Sequence, residues 1–183
     1  MERDELIESY PHLWTYEGIA YYGFVDNRQA NTTPVYCFWS STYSRHFYTI
    51  DEAERDKVIE NYSPVWAYEG IASYAFANST ESGVAPVYRF WSGTLSAHFY
   101  TMDEAERDKV INSYSQVWTY EGVAFYAYAE GQQPLGTAPV YRFWSPSLGC
   151  HFYTISEVEK DLLINLYPLV WTYELIAWYA YTP

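Results

Sequence analysis

The sequence is poor in basic residues and in long apolar segments. Of its 183 residues only 10 are Lys or Arg, against 23 Asp or Glu, which gives a formal net charge of −13. Because phosphate binding needs a basic face, this balance argues against nucleic acid as a partner, and it also disfavours anionic membrane surfaces. No apolar run reaches the roughly 18 residues that a transmembrane helix needs, so we expect no membrane insertion.

Cysteine is scarce as well. Cys37 and Cys150 are too few for a disulfide framework and occupy non-equivalent positions of the repeat described below. We therefore expect two free thiols and a reducing compartment, with a disulfide across the fold as the alternative. The N-terminal MERDELIESY lacks the basic and apolar regions of a signal peptide. These features predict a cytoplasmic location, with release by a non-classical route left open.

Aromatic residues, by contrast, make up 21% of the chain, and most of them lie in internal repeats. Such a number of rings can build a core, but Tyr and Trp also suit a recognition surface. Two motifs recur at intervals of about 52 residues. WxYExIAxYA-like segments begin at Trp14, Trp66, Trp118 and Trp171, and PVYxFW…HFYT segments begin at Pro34, Pro86 and Pro139.

Each repeat predicts a hairpin, a helix, a strand and a polar linker, in that order. VYRFW and HFYT are rich in β-branched and aromatic residues, and the short Ser- and Gly-containing segment between them predicts a hairpin. A capping-box pattern that starts at Asp51 predicts a short helix. In the following strand, alternation places Trp66 and Tyr74 on one face and Ser73 on the other. Because the Ser73 position varies among the copies, we interpret it either as the less tightly packed face or as a mark of the end units that cap the array.

The sequence therefore predicts an α+β fold. It would consist of three and a half hairpin–helix–strand repeats in one compact, pseudo-threefold, β-rich domain, since a single unit of this size is marginal by itself. The predicted division is an N-terminal half-unit at 1–33 and repeats at 34–85, 86–138 and 139–183. A closed ring and a linear array both remain open.

The segments PVYRFWSGTLSAHFYT and WTYEGVAFYA, with the acidic helix between them, resemble tandem repeats of unknown function that bacterial secreted cell-wall hydrolases carry as tails. The resemblance covers essentially the whole chain and implies a polysaccharide-targeting role. The sequence departs from that pattern because Trp39, Trp91 and Trp144 replace the usual Tyr, and we expect no attached catalytic domain. A free-standing repeat protein is also similar, in architecture alone, to small cytosolic lectins of fungi.

Catalysis is not expected. Each polar candidate exists three or four times in equivalent surroundings, whereas an active site needs one arrangement with its own supporting residues. G-x-S-x-G, P-loop and H-E-x-x-H motifs are absent from the sequence. We predict a non-catalytic protein without cofactor or metal. Paired carboxylates for glycoside hydrolysis and three equivalent histidines around zinc are the alternatives.

The repeated residue types suit carbohydrate. A pyranose offers an apolar face to an aromatic ring and a rim of hydroxyls to carboxylate, guanidinium and imidazole groups. Each site would be weak, but two or three sites on one body gain avidity of order 10²–10⁴ against a clustered glycan. The predicted ligand-binding residues are Trp39, Trp91, Trp144, His46, His98, His151, Arg89, Arg142, Glu69 and Glu121.

The predicted function is therefore that of a multivalent lectin whose partners are glycans or glycoconjugates, with a homo-oligomer left open. The alternative is a protein-interaction or inhibitory repeat with an aromatic binding surface. A purely structural interpretation also stands beside these. In it the tryptophans of the WxYE motif form the core, and its glutamates accept hydrogen bonds at the junctions between units.

Overall fold

The computed structural model describes residues 30–183, so Trp14 and most of the predicted half-unit at 1–33 lie outside the described residues. The predicted domain boundaries therefore stay a prediction. The strands and helices follow one another as β1 (Thr32–Ser40), β2 (Arg45–Thr49), α1 (Glu52–Tyr62), β3 (Ala67–Phe76), β4 (Val84–Ser92), β5 (Ala97–Thr101), α2 (Glu104–Ser113), β6 (Thr119–Tyr128), β7 (Thr137–Ser145), β8 (Cys150–Thr154), α3 (Glu157–Leu166) and β9 (Thr172–Tyr181).

Each unit contains a three-stranded antiparallel sheet with a tight hairpin. β1 pairs with both β2 and β3, β4 with β5 and β6, and β7 with β8 and β9. A fully buried serine ends the first strand of each hairpin and accepts a backbone N–H from the turn. These bonds run from Tyr43 to Ser40 (3.2 Å), from Leu95 to Ser92 (3.1 Å) and from Leu148 to Ser145 (3.3 Å).

The three helices are short and peripheral. The Asp51 carboxylate begins α1 by accepting the backbone N–H groups of Ala53 and Glu54 at 2.8 and 3.2 Å. With 10 or 11 residues each, the helices are too short to be stable without tertiary contacts. α2 and α3 supply Val110 and Leu163 to the interior, whereas α1 buries no residue fully.

The predicted α+β class is wrong. Strands hold 47% of the described residues, and all nine strands belong to one antiparallel sheet. The physical reason is that helices which bury so little apolar surface form no packed layer of their own. The fold is mostly β, with three short helices attached.

The three-stranded sheets meet around a common axis. β3, β6 and β9 contact one another pairwise through single-residue pairings, and β2, β5 and β8 also contact one another. The single-residue pairings join Phe76 to Tyr126, Tyr128 to Tyr179, and Tyr74 to Tyr181. Because every unit contacts both others, the described units form a closed arrangement with approximate threefold symmetry rather than a line.

A ring of three tyrosines lies at the centre of this arrangement. Each hydroxyl donates to the backbone carbonyl of the equivalent tyrosine in another unit: Tyr100 to Tyr48 (2.8 Å), Tyr153 to Tyr100 (2.7 Å) and Tyr48 to Tyr153 (3.2 Å). Their rings meet edge to face, with centroids 5.6–6.3 Å apart. Val35, Val87 and Val140 belong to the same core, so the central interface is both apolar and hydrogen-bonded.

The position that varies among the third strands also lies in this core. Ser73, Phe125 and Trp178 are all buried, and the Phe125 and Trp178 rings pack 5.6 Å apart. The interpretation of this slot as the less tightly packed face is therefore wrong. The copies differ because the three side chains share one axial space, where a cavity of about 40 Å³ borders the small Ser73.

One arginine joins all three hairpin tips at one end of the axis. Arg45 Nε donates to the carbonyl of Tyr43 at 2.7 Å, while Nη1 and Nη2 donate to the carbonyls of Leu95 and Leu148, the latter at 3.2 Å. These carbonyls belong to equivalent turn residues of the three units. A single side chain from the first unit thus donates hydrogen bonds to equivalent backbone carbonyls in all three units.

Candidate functional site

Hairpin pairing places a tryptophan directly beside a histidine in every unit. Trp39 faces His46, Trp91 faces His98 and Trp144 faces His151, each with ring centroids 4.7 Å apart. A phenylalanine from a neighbouring unit also contacts each histidine. The distances between ring centroids are 4.7 Å for Phe47 and His98, 4.7 Å for Phe99 and His151, and 5.4 Å for Phe152 and His46. The histidines are therefore packed among aromatic rings at the junctions between units.

A β-bulge in the third strand directs a glutamate towards each histidine. In the first unit Phe38 pairs with Tyr68 and Cys37 pairs with Gly70, so that Glu69 is left between the two pairs. Gly70 has a φ of 106°, a conformation that favours glycine. The resulting distances from histidine Nε2 to carboxylate are 3.2 Å for Glu69, 3.5 Å for Glu121 and 3.4 Å for Glu174.

The histidines are neutral at neutral pH. Burial lowers the pKa of His46 and His98, and burial together with the nearby Arg142 lowers the pKa of His151 to about 3. The contacts with glutamate are thus polar contacts of neutral imidazoles rather than ion pairs. Nδ1 of His98 and of His151 is buried and has no hydrogen-bond partner among residues 30–183.

Two arginines join neighbouring units through carboxylates. Arg89 Nη1 and Nη2 lie 2.8 and 3.3 Å from the carboxylate of Glu54 in the preceding unit, and Nε lies 2.9 Å from Glu121 in its own unit. Arg142 repeats this geometry at 2.8 and 3.1 Å to Glu106, and at 2.8 Å to Glu174. The fork of each guanidinium thus holds two acids from different units.

The third junction differs because Cys37 occupies the position of the arginine. Its Sγ lies 3.7 Å from Glu69, the acid that also contacts His46. Burial, the nearby Glu69 and Glu159 all raise the pKa of the Cys37 thiol. Glu159 is the helix acid equivalent to Glu54 and Glu106. Burial is the largest of these three causes.

Aromatic grooves run along the outside of the junctions. Between the first and second units, a groove of about 350 Å³ is lined by Trp66, Tyr62 and Tyr43 of one unit and by Trp91 and His98 of the next. Between the third and first units, a groove of about 290 Å³ is lined by Trp171 and Glu159 of one unit and by Trp39 and His46 of the next. Each groove thus has a tryptophan from both flanking units.

The family model described as a domain of unknown function (DUF5648) matches residues 1–76 and 62–181. The chain belongs to the DUF5648 family. The two matches overlap, which is compatible with the tandem repeat that the sequence predicts. Neither the curated proteins nor the solved structures contain a match to this DUF5648 chain.

The structure brings together most of the predicted ligand-binding residues of each unit. In the second unit of the DUF5648 chain, Trp91, His98, Arg89 and Glu121 form one cluster. Their polar atoms mainly contact one another, and the tryptophan borders the groove. The first unit brings Trp39, His46 and Glu69 together in the same way, and the third unit does so with Trp144, His151 and Arg142.

The sequence pattern does not reveal the residues that neighbouring units supply. It assigns Glu54 and Glu106 to helix capping, yet each binds an arginine of the next unit. The structural interpretation places Trp66 and Trp171 in the core; both pack against core clusters, but they are half-buried and also line the grooves. The replacement of arginine by cysteine at position 37 is the sequence signal that marks the unusual junction. Both cysteines of the DUF5648 chain are buried and free.

The helices between residues 30 and 183 are all too short and too polar to cross a bilayer.

Proposed function

We propose that this protein is a non-catalytic, multivalent carbohydrate-binding protein whose sites are the grooves between units. The observation that supports the proposal is the groove of about 350 Å³ in which Trp66 and Trp91, from adjacent units, share one concave surface. Its volume falls within the roughly 300–1,000 Å³ of small-molecule pockets, and its aromatic lining with few polar groups is typical of them.

The groove has the two kinds of surface that a pyranose needs. Trp66, Trp91 and the 48%-exposed Tyr62 supply rings against which the apolar face of the sugar packs. Glu54 supplies carboxylate oxygens that accept bonds from hydroxyls, and the Tyr62 hydroxyl can both donate and accept. Because Arg89 binds the Glu54 carboxylate through two nitrogens, the acid is held in place before a ligand arrives.

In this proposal the predicted residues His98 and Arg89 hold the groove in shape and do not bind the sugar themselves. His98 is 12% exposed, packs against Trp91 and lies 3.5 Å from Glu121 through Nε2. Arg89 is 17% exposed and contacts two acids. Both residues therefore fix the tryptophan and the carboxylates of the groove, while the rings of both units contact the sugar.

Repetition offsets the weakness of each groove. A monosaccharide buries little area, and its hydroxyls lose water on binding, so a single groove binds weakly. The groove of about 290 Å³ between the third and first units has its own pair, Trp171 and Trp39. Two sites on one rigid body raise the affinity for a clustered glycan by about 10²–10⁴ when both are engaged.

The resemblance to repeats of cell-wall hydrolases supports a polysaccharide ligand in this proposal, although the hydrolase context itself is an expectation from sequence. The cytoplasmic location and the absence of cofactors also stay predictions.

The proposal is tested by a glycan array followed by titration calorimetry. The wild-type chain should bind glycan at two or more sites. Tyr62→Ala should weaken binding by removing a ring from the first groove, while Ile59→Ala serves as the control. Ile59 is 40% exposed on the same helix and does not line the groove. No glycan signal above background, or equal loss in both variants, would contradict the proposal.

A protein-interaction module is the second candidate, and α3 is the feature that favours it. α3 and the turn after it expose Val158 (79%), Leu166 (69%) and Leu169 (96%), whereas the equivalent positions of the first unit hold the smaller or polar residues Ala53, Asn61 and Pro64. Exposed apolar clusters of this kind are typical of protein-binding surfaces. Binding of a protein that is lost in Leu166→Ser/Leu169→Ser but retained in Tyr62→Ala, without glycan binding, would favour this function.

A further inference from the structure

Three side chains of different chemistry converge at the junction where the arginine is missing. The Cys37 thiol, the His46 imidazole and the Glu69 carboxylate each offer one donor atom, and these atoms all lie within 4.8 Å of one another. Sγ of Cys37 lies 3.7 Å from Glu69, and Nε2 of His46 lies 3.2 Å from the same oxygen. Cys37 is buried and His46 is half-buried.

Two of these separations are close to those of a tetrahedral zinc site, and the donor atoms of Cys37 and His46 lie within 4.8 Å of each other. Zn–S bonds of about 2.3 Å and Zn–N or Zn–O bonds of about 2.0–2.1 Å place the donor atoms roughly 3.3–3.6 Å apart. The observed 3.7 and 3.2 Å therefore need shifts of a few tenths of an ångström. A set of one sulfur, one nitrogen and one oxygen favours a borderline-soft divalent cation over Mg²⁺ or Ca²⁺.

The other two junctions show what a cation does at this position. There Arg89 and Arg142 each lie between a helix acid and a strand acid, and the histidine beside them is neutral. Each of those junctions holds two carboxylates and one guanidinium, which leaves one negative charge. At the junction where an uncharged thiol replaces the arginine, Glu69 and Glu159 leave two negative charges. A Zn²⁺ ion bound by the Cys37 thiolate restores the balance of the other junctions.

We propose that Cys37, His46 and Glu69 form a site for one Zn²⁺-like divalent cation, which replaces the missing guanidinium at the junction of the third and first units. Binding forms Zn–S, Zn–N and Zn–O bonds and displaces one proton, the thiol proton of Cys37, into solvent. His46 coordinates through Nε2 as a neutral imidazole, with its proton on Nδ1. The site borders the groove between the third and first units through His46, but the zinc proposal does not rest on glycan binding.

The site has a route to solvent. His46 lines the groove of about 290 Å³ between the third and first units, and Glu159 lines the same groove. A cation that enters this groove therefore meets His46, one ligand of the site, and a second carboxylate in the same lining.

The experiment is a metal titration of the full chain after treatment with a chelator. Zn²⁺ is followed by calorimetry, and Co²⁺ by the thiolate-to-metal charge-transfer absorption that a Co–S bond produces. The wild-type chain should bind one ion per chain, develop the charge-transfer band and release one proton. Cys37→Arg, which restores the residue of the other two units, should bind none and lack the band.

Two further variants identify the thiol that binds the ion. Cys150→Ser removes the second buried thiol, and it should retain one ion per chain and the full band. Cys37→Ser keeps the size of the side chain, and it should lose the band even if Cys37→Arg fails to fold. Absence of stoichiometric binding in the wild-type chain, or equal binding by the wild-type chain and Cys37→Ser, would overturn the proposal.

Discussion

Removal of Arg142 should destabilise the fold because this arginine joins two units. Its side chain is 5% exposed, its guanidinium contacts Glu106 and Glu174 at 2.8–3.1 Å, and it lies 5.3 Å from the centre of the Phe99 ring. Arg142→Ala leaves two carboxylates of adjacent units facing each other without a cation. It also leaves a void under the guanidinium.

The expected magnitude follows from burial. Breaking a buried ion pair by removing one partner costs about 3–5 kcal/mol. Glu106 and Glu174 remain 32% and 29% exposed, so water partly solvates the abandoned acids. We therefore expect a loss of about 2–3 kcal/mol in the free energy of unfolding, below the range for fully buried pairs. For a chain of this size the loss corresponds to a Tm lower by about 4–12 °C.

Urea denaturation and calorimetry measure this loss, and Arg107→Ala is the matched control. Arg107 lies on α2 of the same chain and contacts Asp108, which is 57% exposed. Its removal should shift the Tm by clearly less than the removal of Arg142. Ordinary surface substitutions change the free energy of unfolding by no more than about 0.5 kcal/mol. A change that small in Arg142→Ala would refute the role of this arginine in joining units.

The remaining predictions concern pH, the axial tyrosines and the two proposed sites. Burial holds the folded-state pKa of His151 at about 3, whereas the unfolded value is near 6.5, so the unfolded chain binds the proton first as the pH falls. His151 alone should lower the stability by about 2 kcal/mol between pH 7 and pH 5, the lowered pKa values of His46 and His98 act in the same direction, and a flat profile would contradict neutral buried histidines. Tyr153→Phe should cost about 1–3 kcal/mol, because its hydroxyl bonds both the N–H and the carbonyl of Tyr100, and an unchanged urea midpoint would show that the ring of tyrosines contributes little. Tyr62→Ala should weaken glycan binding in titration calorimetry, and Cys37→Ser should abolish the Co–S band.

Local signals in the sequence predict individual paired strands and helix starts, although the α+β class built from them is wrong. The VYxFW and HFYT segments form paired strands, and Asp51 begins the helix that the capping pattern indicates. Strict alternation fails inside β3. The bulges around Glu69 and Ala72 shift the register twice, so the simple assignment of faces along the strand does not hold.

Contacts between units are beyond the reach of the repeat pattern. Glu54 and Arg89 are 35 residues apart, and nothing in the sequence of one unit indicates which neighbour its acid will meet. The same holds for Arg45, whose three carbonyl acceptors come from three different hairpins. Closure around the axis decides these contacts, and the sequence alone leaves closure open.

The sequence predicts an α+β class, which gives the helices too large a share of the core, for a related reason. The helix signals are genuine, and the helices do form, but propensity does not tell how much surface they bury. Val110 and Leu163 are the residues that α2 and α3 bury, whereas the strands supply nearly all of the central core. The class therefore depends on packing, which the local pattern does not contain.

A crystal soaked with a mixture of monosaccharides decides whether the grooves between units bind sugar. Sugar density should appear in the groove between Trp66 and Trp91, with a second molecule in the related groove between Trp171 and Trp39. Density at a single position that has no counterpart in another unit, or grooves that stay free of sugar at saturating concentrations, would contradict it.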